Sequence, residues 1–283
     1  MIKIISDSST LYSVKEANKN DIDISTLTVT INDKTYKEYE EITTPELIDI
    51  IKEGHMPISS QPAVGEVVEV YNKYKDYEII NISMADGLSG TYSSACMAKD
   101  LAENPENIEI INSRTLCGPQ RYLVDLAAKL VELGESKETI IEEINKLIDS
   151  SKSFLIPKDF DYLIRGGRVS SLVGKIGGAI KLVPVMTLSE DSTKVIKFTT
   201  KRTFSKAIDV ICEEFLKCGA DSNYKIYICH ADSLELSEAA RNAIIEKIKS
   251  ADVEIKMLSP VFTTHAGPGG IAIQMIKKHP ALL

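Results

Sequence analysis

The hydrophobic and polar positions of this chain repeat with two different periods, which predicts a mixture of strands and helices. In the first half, the short apolar runs that predict strands lie at 2–5, 77–85 and 108–112. Apolar residues at helical spacing predict helices, which we place at 43–54, 64–71, 92–103, 123–134 and 140–148. The segment "TLTVTINDKTYKEY" predicts a hairpin that turns at Asn32 and Asp33. Strands alternating with crossover helices predict a parallel sheet with helices on both faces.

The second half of the chain begins with a change in amino-acid composition. Residues 154–186 are rich in glycine and poor in acidic residues. A predicted hairpin at 182–189 and 194–200 is followed by a helix, a strand, a helix and a strand at 204–215, 224–231, 235–249 and 253–258. We therefore expect an α/β protein of two domains. Residues 1–150 would form an α/β/α domain with a mostly parallel sheet, and residues 151–283 a two-layer α/β domain with a mixed sheet.

Composition narrows the class of protein. The chain has a formal net charge of -8, which argues against nucleic acid as a partner. No apolar run approaches the ~20 residues of a membrane span, and the N-terminus turns polar by Ser6, so no signal peptide is expected. The five cysteines include no Cys-x-x-Cys pair, which favours free thiols in the cytoplasm and argues against zinc. The nucleotide fingerprints GxGxxG and GxxxxGK[ST] are missing, so no cofactor is expected.

Three polar clusters are the candidates for chemistry. They contain Ser59 and Ser60 in "SSQP", Ser89, Gly90 and Thr91 in "LSGTY", and His265 in "TTHAGPGG". Each has a structural alternative: "SSQP" fits a helix N-cap with proline at the first helical position, "LSGTY" fits a capped turn between strand and helix, and His265 fits a surface histidine or a satisfied core histidine. The functional interpretation is an anion site, because hydroxyls, backbone N–H groups and an imidazole suit a carboxylate or phosphate. None of these motifs contains Lys or Arg, so nothing in them would hold a dianionic product as a permanent ion pair.

Five segments, in this order, resemble the DegV family of bacterial fatty-acid-binding proteins. They are "DSS" at 7–9, "SSQP" at 59–62, "LSGTY" at 88–92, "DYLIRGGRVS" at 161–170 and "THAGPG" at 264–269. The resemblance implies two domains with a long-chain fatty acid between them. It also implies that the carboxylate meets Ser59, where the family usually has threonine, and Ser89, with Ser60, Gly90, Thr91 and His265 nearby. It further implies a non-catalytic carrier that serves a fatty acid kinase, which makes acyl phosphate for phospholipid synthesis.

Basic residues form a candidate docking patch for such a kinase. Arg165, Arg168 and Lys175 occur without an intervening acidic residue, and Lys201 and Arg202 follow later in the chain. Glycines within 165–181 would let this segment move, so it could also gate the acyl chain. The alternative is a pair of solvated basic loops.

Two other function classes compete with the carrier. Ser89 and His265 could form the nucleophile and base of an acyl hydrolase or transferase, although no third residue that would orient the histidine is visible. A protein that binds a polar ligand or nucleotide is the third possibility.

Overall fold

The computed structural model describes residues 1–169 and 182–283. Its strands are β1 (Ile2–Asp7), β2 (Ile22–Ser25), β3 (Thr28–Ile31), β4 (Lys34–Lys37), β5 (Ile58–Ser60), β6 (Glu78–Ser83), β7 (Ile108–Asn112), β8 (Lys152–Ile156), β9 (Val183–Leu188), β10 (Val195–Lys201), β11 (Tyr224–His230), β12 (Asp252–Met257) and β13 (Ile271–Lys277). Its α-helices are α1 (Val14–Lys19), α2 (Thr44–Lys52), α3 (Val64–Lys73), α4 (Thr91–Leu101), α5 (Cys117–Glu132), α6 (Lys137–Ile148), α7 (Phe160–Gly166), α8 (Phe204–Lys217), α9 (Leu234–Lys247) and α10 (Pro260–Ala266).

The N-terminal half is built on a parallel four-stranded sheet with the order β2-β1-β6-β7. Successive residues of β1 point to opposite faces: Ile5 packs with α3 and α4, whereas Ile4 packs with α5 and α6. This three-layer arrangement confirms the predicted parallel sheet covered on both faces.

A small antiparallel sheet with the order β4-β3-β5 lies beside the parallel sheet. Asn32 and Asp33 form its hairpin turn, both with positive φ, as predicted. The third strand, β5, carries Ser59 opposite Val29 of β3. The capping alternative for "SSQP" is therefore wrong. Ser59 and Ser60 belong to β5, Gln61 and Pro62 follow it without regular structure, and the next helix starts at Val64 with Ala63 as its N-cap.

The C-terminal half is built on a mixed six-stranded sheet with the order β10-β9-β8-β13-β11-β12. Phe154 and Ile273 point toward α8 and α9 on one face, where a compact apolar core forms. On the other face Tyr227 and Cys229 pack against the core around α5. A methyl group on Gly118 of α5 would lie 2.2 Å from the Tyr227 ring, so the two halves approach very closely there. The predicted mixed sheet is confirmed.

Helix α5 differs from the expectation, and α10 and β13, for which no element was predicted, complete the site. Helix α5 begins at Cys117, six residues earlier than predicted. The segment after 259 forms a short helix, α10, and then β13, a central strand of the six-stranded sheet. Among the described residues no helix is both long and apolar enough to cross a membrane.

Candidate functional site

A largely apolar cavity lies where residues of the two halves face each other. Leu27, Met84 and Leu116 line it from the N-terminal half, and Leu155, Thr187 and Ala272 from the C-terminal half. Together with the open space at its mouth, the cavity contains about 930 Å³ that protein atoms do not fill. Ser59, Ser60, Ser89 and His265, from all three predicted polar clusters, are among its lining residues.

Ser59 and His265 form the central polar pair of this cavity. Ser59 Oγ lies 2.7 Å from His265 Nε2, although 206 positions separate the two residues in the chain. β5 supplies the serine, and the last turn of α10 supplies the histidine. Burial and, second, the positive charge of Arg168 hold the pKa of His265 at about 4, so the imidazole is neutral at physiological pH.

The other imidazole nitrogen faces the backbone of α7. His265 Nδ1 is buried and has no hydrogen-bond partner among the described residues. A methyl group on Gly166 would lie 2.3 Å from this nitrogen. Glycine is therefore required for this close approach of α7 to the ring.

Arg168 brings a positive charge to the cavity from outside the three clusters. Its Nε donates to Leu88 O (3.0 Å) and its Nη1 to Gly166 O (2.6 Å), so the guanidinium joins the loop that carries Ser89 to the end of α7. The side chain is partly buried and lines the cavity. A guanidinium has five N–H groups, so three donors are not used in these two bonds to described residues. The three clusters contain no cation, but the folded site does.

The "LSGTY" segment lines the cavity through Leu88 and Ser89. Ser89 Oγ lies 2.8 Å from Thr91 Oγ1 and accepts from the Thr91 N–H at 3.3 Å, so it partly fills the capping role that the turn alternative foresaw. Gly90 is the N-cap of α4, and a methyl group there would lie 2.9 Å from the Gln61 amide. This contact brings "LSGTY" against "SSQP", whereas Thr91 itself is buried.

A second polar group sits in the wall formed by the six-stranded sheet. Gln274 on β13 donates to Leu116 O (3.1 Å) and Ser153 Oγ (2.9 Å) and accepts from the Gly118 N–H (3.3 Å). These bonds satisfy the buried amide and tie β13 to the start of α5. The sequence pattern could not identify Gln274 as a residue of the cavity wall, because a single polar residue in an apolar strand belongs to no recognisable motif.

The predicted basic patch is divided by the fold. Arg165 is exposed and stacks on the Tyr162 ring at 4.9 Å, and Arg202 is exposed just after β10. Arg168 instead turns into the cavity. Lys175 and most of the expected gate over 165–181, its residues 170–181, lie outside the described residues.

Two further observations limit the chemistry of the site. His265 bonds to Ser59, whereas Ser89 bonds to Thr91, so the described residues do not pair Ser89 with His265. The described residues also contain no group of three or more His, Cys, Asp or Glu side chains that could hold a metal ion.

Segments that follow the parallel strands, β5 and the mixed sheet together enclose an apolar cavity that holds hydroxyls, an imidazole and a guanidinium, which defines the chain as a two-part α/β protein with a shared cavity. A family model described as "Uncharacterised protein, DegV family" matches residues 1–278. A DegV domain-containing protein of Staphylococcus aureus strain N315 is 30% identical over 278 residues, covering 97% of this chain and 98% of its own. Another of Listeria monocytogenes is 31% identical over 275 residues, covering 96% and 97%. The chain belongs to the DegV family.

Solved structures share the whole fold. The crystal structure of DegV from Bacillus subtilis, titled a fatty acid binding protein, has a TM-score of 0.84 and 27% identity, covering 98% of this chain and 99% of its own. A fatty acid binding DegV family protein from Streptococcus agalactiae has a TM-score of 0.88 and 25% identity, covering 99% of each chain. The expected α/β architecture is thus confirmed over the full length of these relatives.

Proposed function

We propose that this protein binds a long-chain fatty acid in the shared cavity and presents its carboxylate to a separate fatty acid kinase. The observation that carries the proposal is the group of polar side chains in an otherwise apolar cavity, with the neutral Ser59–His265 pair and the Arg168 guanidinium together. The Bacillus and Streptococcus relatives, which are described as fatty acid binding proteins, support it.

The chemistry of the group suits a carboxylate. When His265 Nε2–H donates to Ser59 Oγ, the serine hydroxyl hydrogen is free to donate to a ligand oxygen, and Ser89 and Arg168 offer further donors. A buried carboxylate requires such partners. The tail determines the affinity, because burying ~14 methylenes at ~0.8 kcal/mol each contributes about 11 kcal/mol before the costs of binding.

A hydrolase fits the site less well. The imidazole whose pKa is about 4 is a weak base at neutral pH, and no carboxylate among the described residues contacts its Nδ1 to orient it. We therefore assign no catalytic residue, and phosphorylation would come from the kinase and its ATP in the cytoplasm.

The proposed kinase surface centres on Arg202 and Arg165. Arg202 borders an open surface groove lined by Phe160, Leu182 and Leu236. Helix α7 links groove and cavity, because Phe160 lines the groove and Leu163 the cavity. A partner docked here would contact the helix that backs His265.

The decisive experiment is extraction of the purified protein with organic solvent, followed by mass spectrometry. We expect about one long-chain fatty acid per chain, and a protein that neither retains nor takes up fatty acid would refute the binding proposal. Incubated alone with acyl esters, acyl thioesters or ATP, the protein should show no turnover above the blank. Esterase activity that disappears in Ser89→Ala or Ser59→Ala would instead support the hydrolase.

The kinase step has its own test. Arg165→Ala and Arg202→Ala should slow kinase-coupled acyl phosphate formation, most strongly at low salt, because exposed charges act mainly on association rate. Direct fatty-acid binding should stay close to wild type. Unchanged coupled rates, or an equal loss of ligand binding, would contradict the docking surface.

A further inference from the structure

Glu38 is a fully buried carboxyl group outside the proposed ligand site. It follows β4 and is 0% exposed. Its Oε1 accepts from Ser8 Oγ at 2.5 Å, and its Oε2 accepts from the Val261 N–H at 3.0 Å. Its backbone N–H donates to Leu27 O at 3.1 Å. One residue therefore contacts the turn after β1, the segment leading into β3 and the first turn of α10.

These contacts connect the two elements that hold the central polar pair. Ser59 lies on β5, which pairs with β3, and Glu38 is hydrogen-bonded to the residue that precedes β3. His265 lies in the last turn of α10, and Glu38 accepts from the first turn of the same helix. Since α10 has only seven residues, a contact that holds its first turn also constrains the position of the imidazole in its last turn.

We propose that Glu38 is a positioning residue that sets the Ser59–His265 contact by clamping the small antiparallel sheet to α10. This inference rests on the proposed function for its relevance to ligand binding. The role requires an acceptor oxygen for the Val261 N–H and a side chain of this length, and it does not require a negative charge.

The surroundings of the carboxyl group agree with a role based on hydrogen bonding. Burial, with a smaller effect of the Asp7 carboxylate, raises the pKa of Glu38 to about 7, against hydrogen bonds from Ser8, Val261 and Ser259. A glutamine would keep an acceptor for the Val261 N–H and could donate to Ser8 Oγ. Glutamine should therefore preserve the clamp, whereas alanine removes it and aspartate is one methylene too short.

A purely structural cross-link is the alternative, and Thr44 supplies the matched control. Thr44 Oγ1 donates to Leu258 O at 2.6 Å and is likewise buried, so it also ties the N-terminal half to the segment before α10. Unlike Glu38, the Thr44 side chain makes no hydrogen bond to the first turn of α10 or to the residue before β3 among the described residues. Thr44→Val should reduce stability without moving His265.

The test combines two measurements on Glu38→Gln, Glu38→Ala, Glu38→Asp and Thr44→Val. The first is ¹⁵N NMR of ring-labelled histidines in the ligand-free protein, with Ser59→Ala and His265→Asn assigning the His265 signal among the four histidines. We expect the ring signal of Glu38→Ala and Glu38→Asp to move toward that of Ser59→Ala, and the signal of Glu38→Gln and Thr44→Val to stay at the wild-type position.

The second measurement is the dissociation constant for oleate. We expect Glu38→Ala to bind oleate about tenfold more weakly than wild type, because without the Glu38 contacts Ser59 and His265 bond less well to the carboxylate. Glu38→Gln and Thr44→Val should have dissociation constants within about threefold of wild type. The proposal would be overturned if the His265 ring signal of Glu38→Asp stayed at the wild-type position, or if Thr44→Val shifted that signal as much as the Glu38 variants do. If Glu38→Ala does not fold, Glu38→Asp provides the test. Should wild type not bind oleate while the ring signals behave as expected, the proposed function fails and the positioning role stands.

Discussion

Replacing Arg168 by glutamine tests whether a positive charge helps to hold the ligand carboxylate. The guanidinium lines the cavity, and its bonds to Leu88 O and Gly166 O, the ones it makes to described residues, use two of its five donors. A charge-assisted hydrogen bond is worth about 1.5–3 kcal/mol, so oleate should bind Arg168→Gln about 10- to 150-fold more weakly than wild type.

The substitution also removes the two backbone contacts, which could loosen the loop that carries Ser89. Methyl oleate separates the two effects, because it fills the same apolar cavity without a negative charge. A loosened loop would weaken both ligands alike, whereas a lost ion pair weakens only the acid. The quantity to measure is therefore the ratio of the dissociation constants of ester and acid, by displacement of a fluorescent fatty acid.

We expect this ratio to fall by about tenfold or more in Arg168→Gln and to recover partly in Arg168→Lys, which restores charge without the planar fork. Arg165→Gln is the matched control, since Arg165 is exposed three residues earlier and contacts only its own helix among the bonds described. An unchanged ratio in Arg168→Gln, or the same fall in Arg165→Gln, would refute the assignment of Arg168 to the carboxylate.

Three further predictions concern the same site. Ser59→Ala and Ser89→Ala should each fold and should each lose ~1–3 kcal/mol of oleate-binding free energy, measured by calorimetry. If both variants bound oleate with wild-type affinity, the proposed carboxylate site would be wrong. Gly166→Ala should displace the His265 ring and weaken binding, whereas Gly65→Ala, where a methyl group meets nothing within 4 Å, should be neutral in the same assay. The pKa of His265 is about 4 in the folded protein and 6.5 ordinarily, so His265 binds a proton in the unfolded chain at a higher pH than in the folded protein. The free energy of unfolding of the wild type should therefore fall by up to about 3 kcal/mol as the pH falls from 6.5 to 4. Urea unfolding of His265→Asn should show a smaller loss across this window, and identical slopes would contradict the assigned pKa.

The sequence predicts the architecture well because the architecture depends on local periodicity. β1, β6 and β7 are apolar runs and their crossover helices are amphipathic, so a parallel sheet follows from short-range pattern alone. The hairpin at Asn32 and Asp33 is equally local, since both residues tolerate positive φ.

The elements that complete the site depend on contacts between distant segments, and there the sequence is weaker. β5 is only three residues long and is stabilised by pairing with β3, so "ISSQP" carries no strand signal of its own. The inward turn of Arg168 depends on acceptors at Leu88 and Gly166, which composition cannot reveal. The Ser59–His265 contact likewise exists only after β5 and α10 have met.

The placement of β13 between β8 and β11 has a consequence for biosynthesis. β8 ends at Ile156 and its neighbour β13 begins at Ile271. At about 5–20 residues per second, a ribosome needs roughly 6–23 s to make the intervening chain, and during this time one edge of β8 lacks its partner. α10, with His265, precedes β13 directly, so the cavity cannot be completed before this interval ends. During this interval, an unpaired strand edge and the apolar walls of the cavity are exposed together in the nascent chain. Chaperone binding or aggregation would compete with folding at that time.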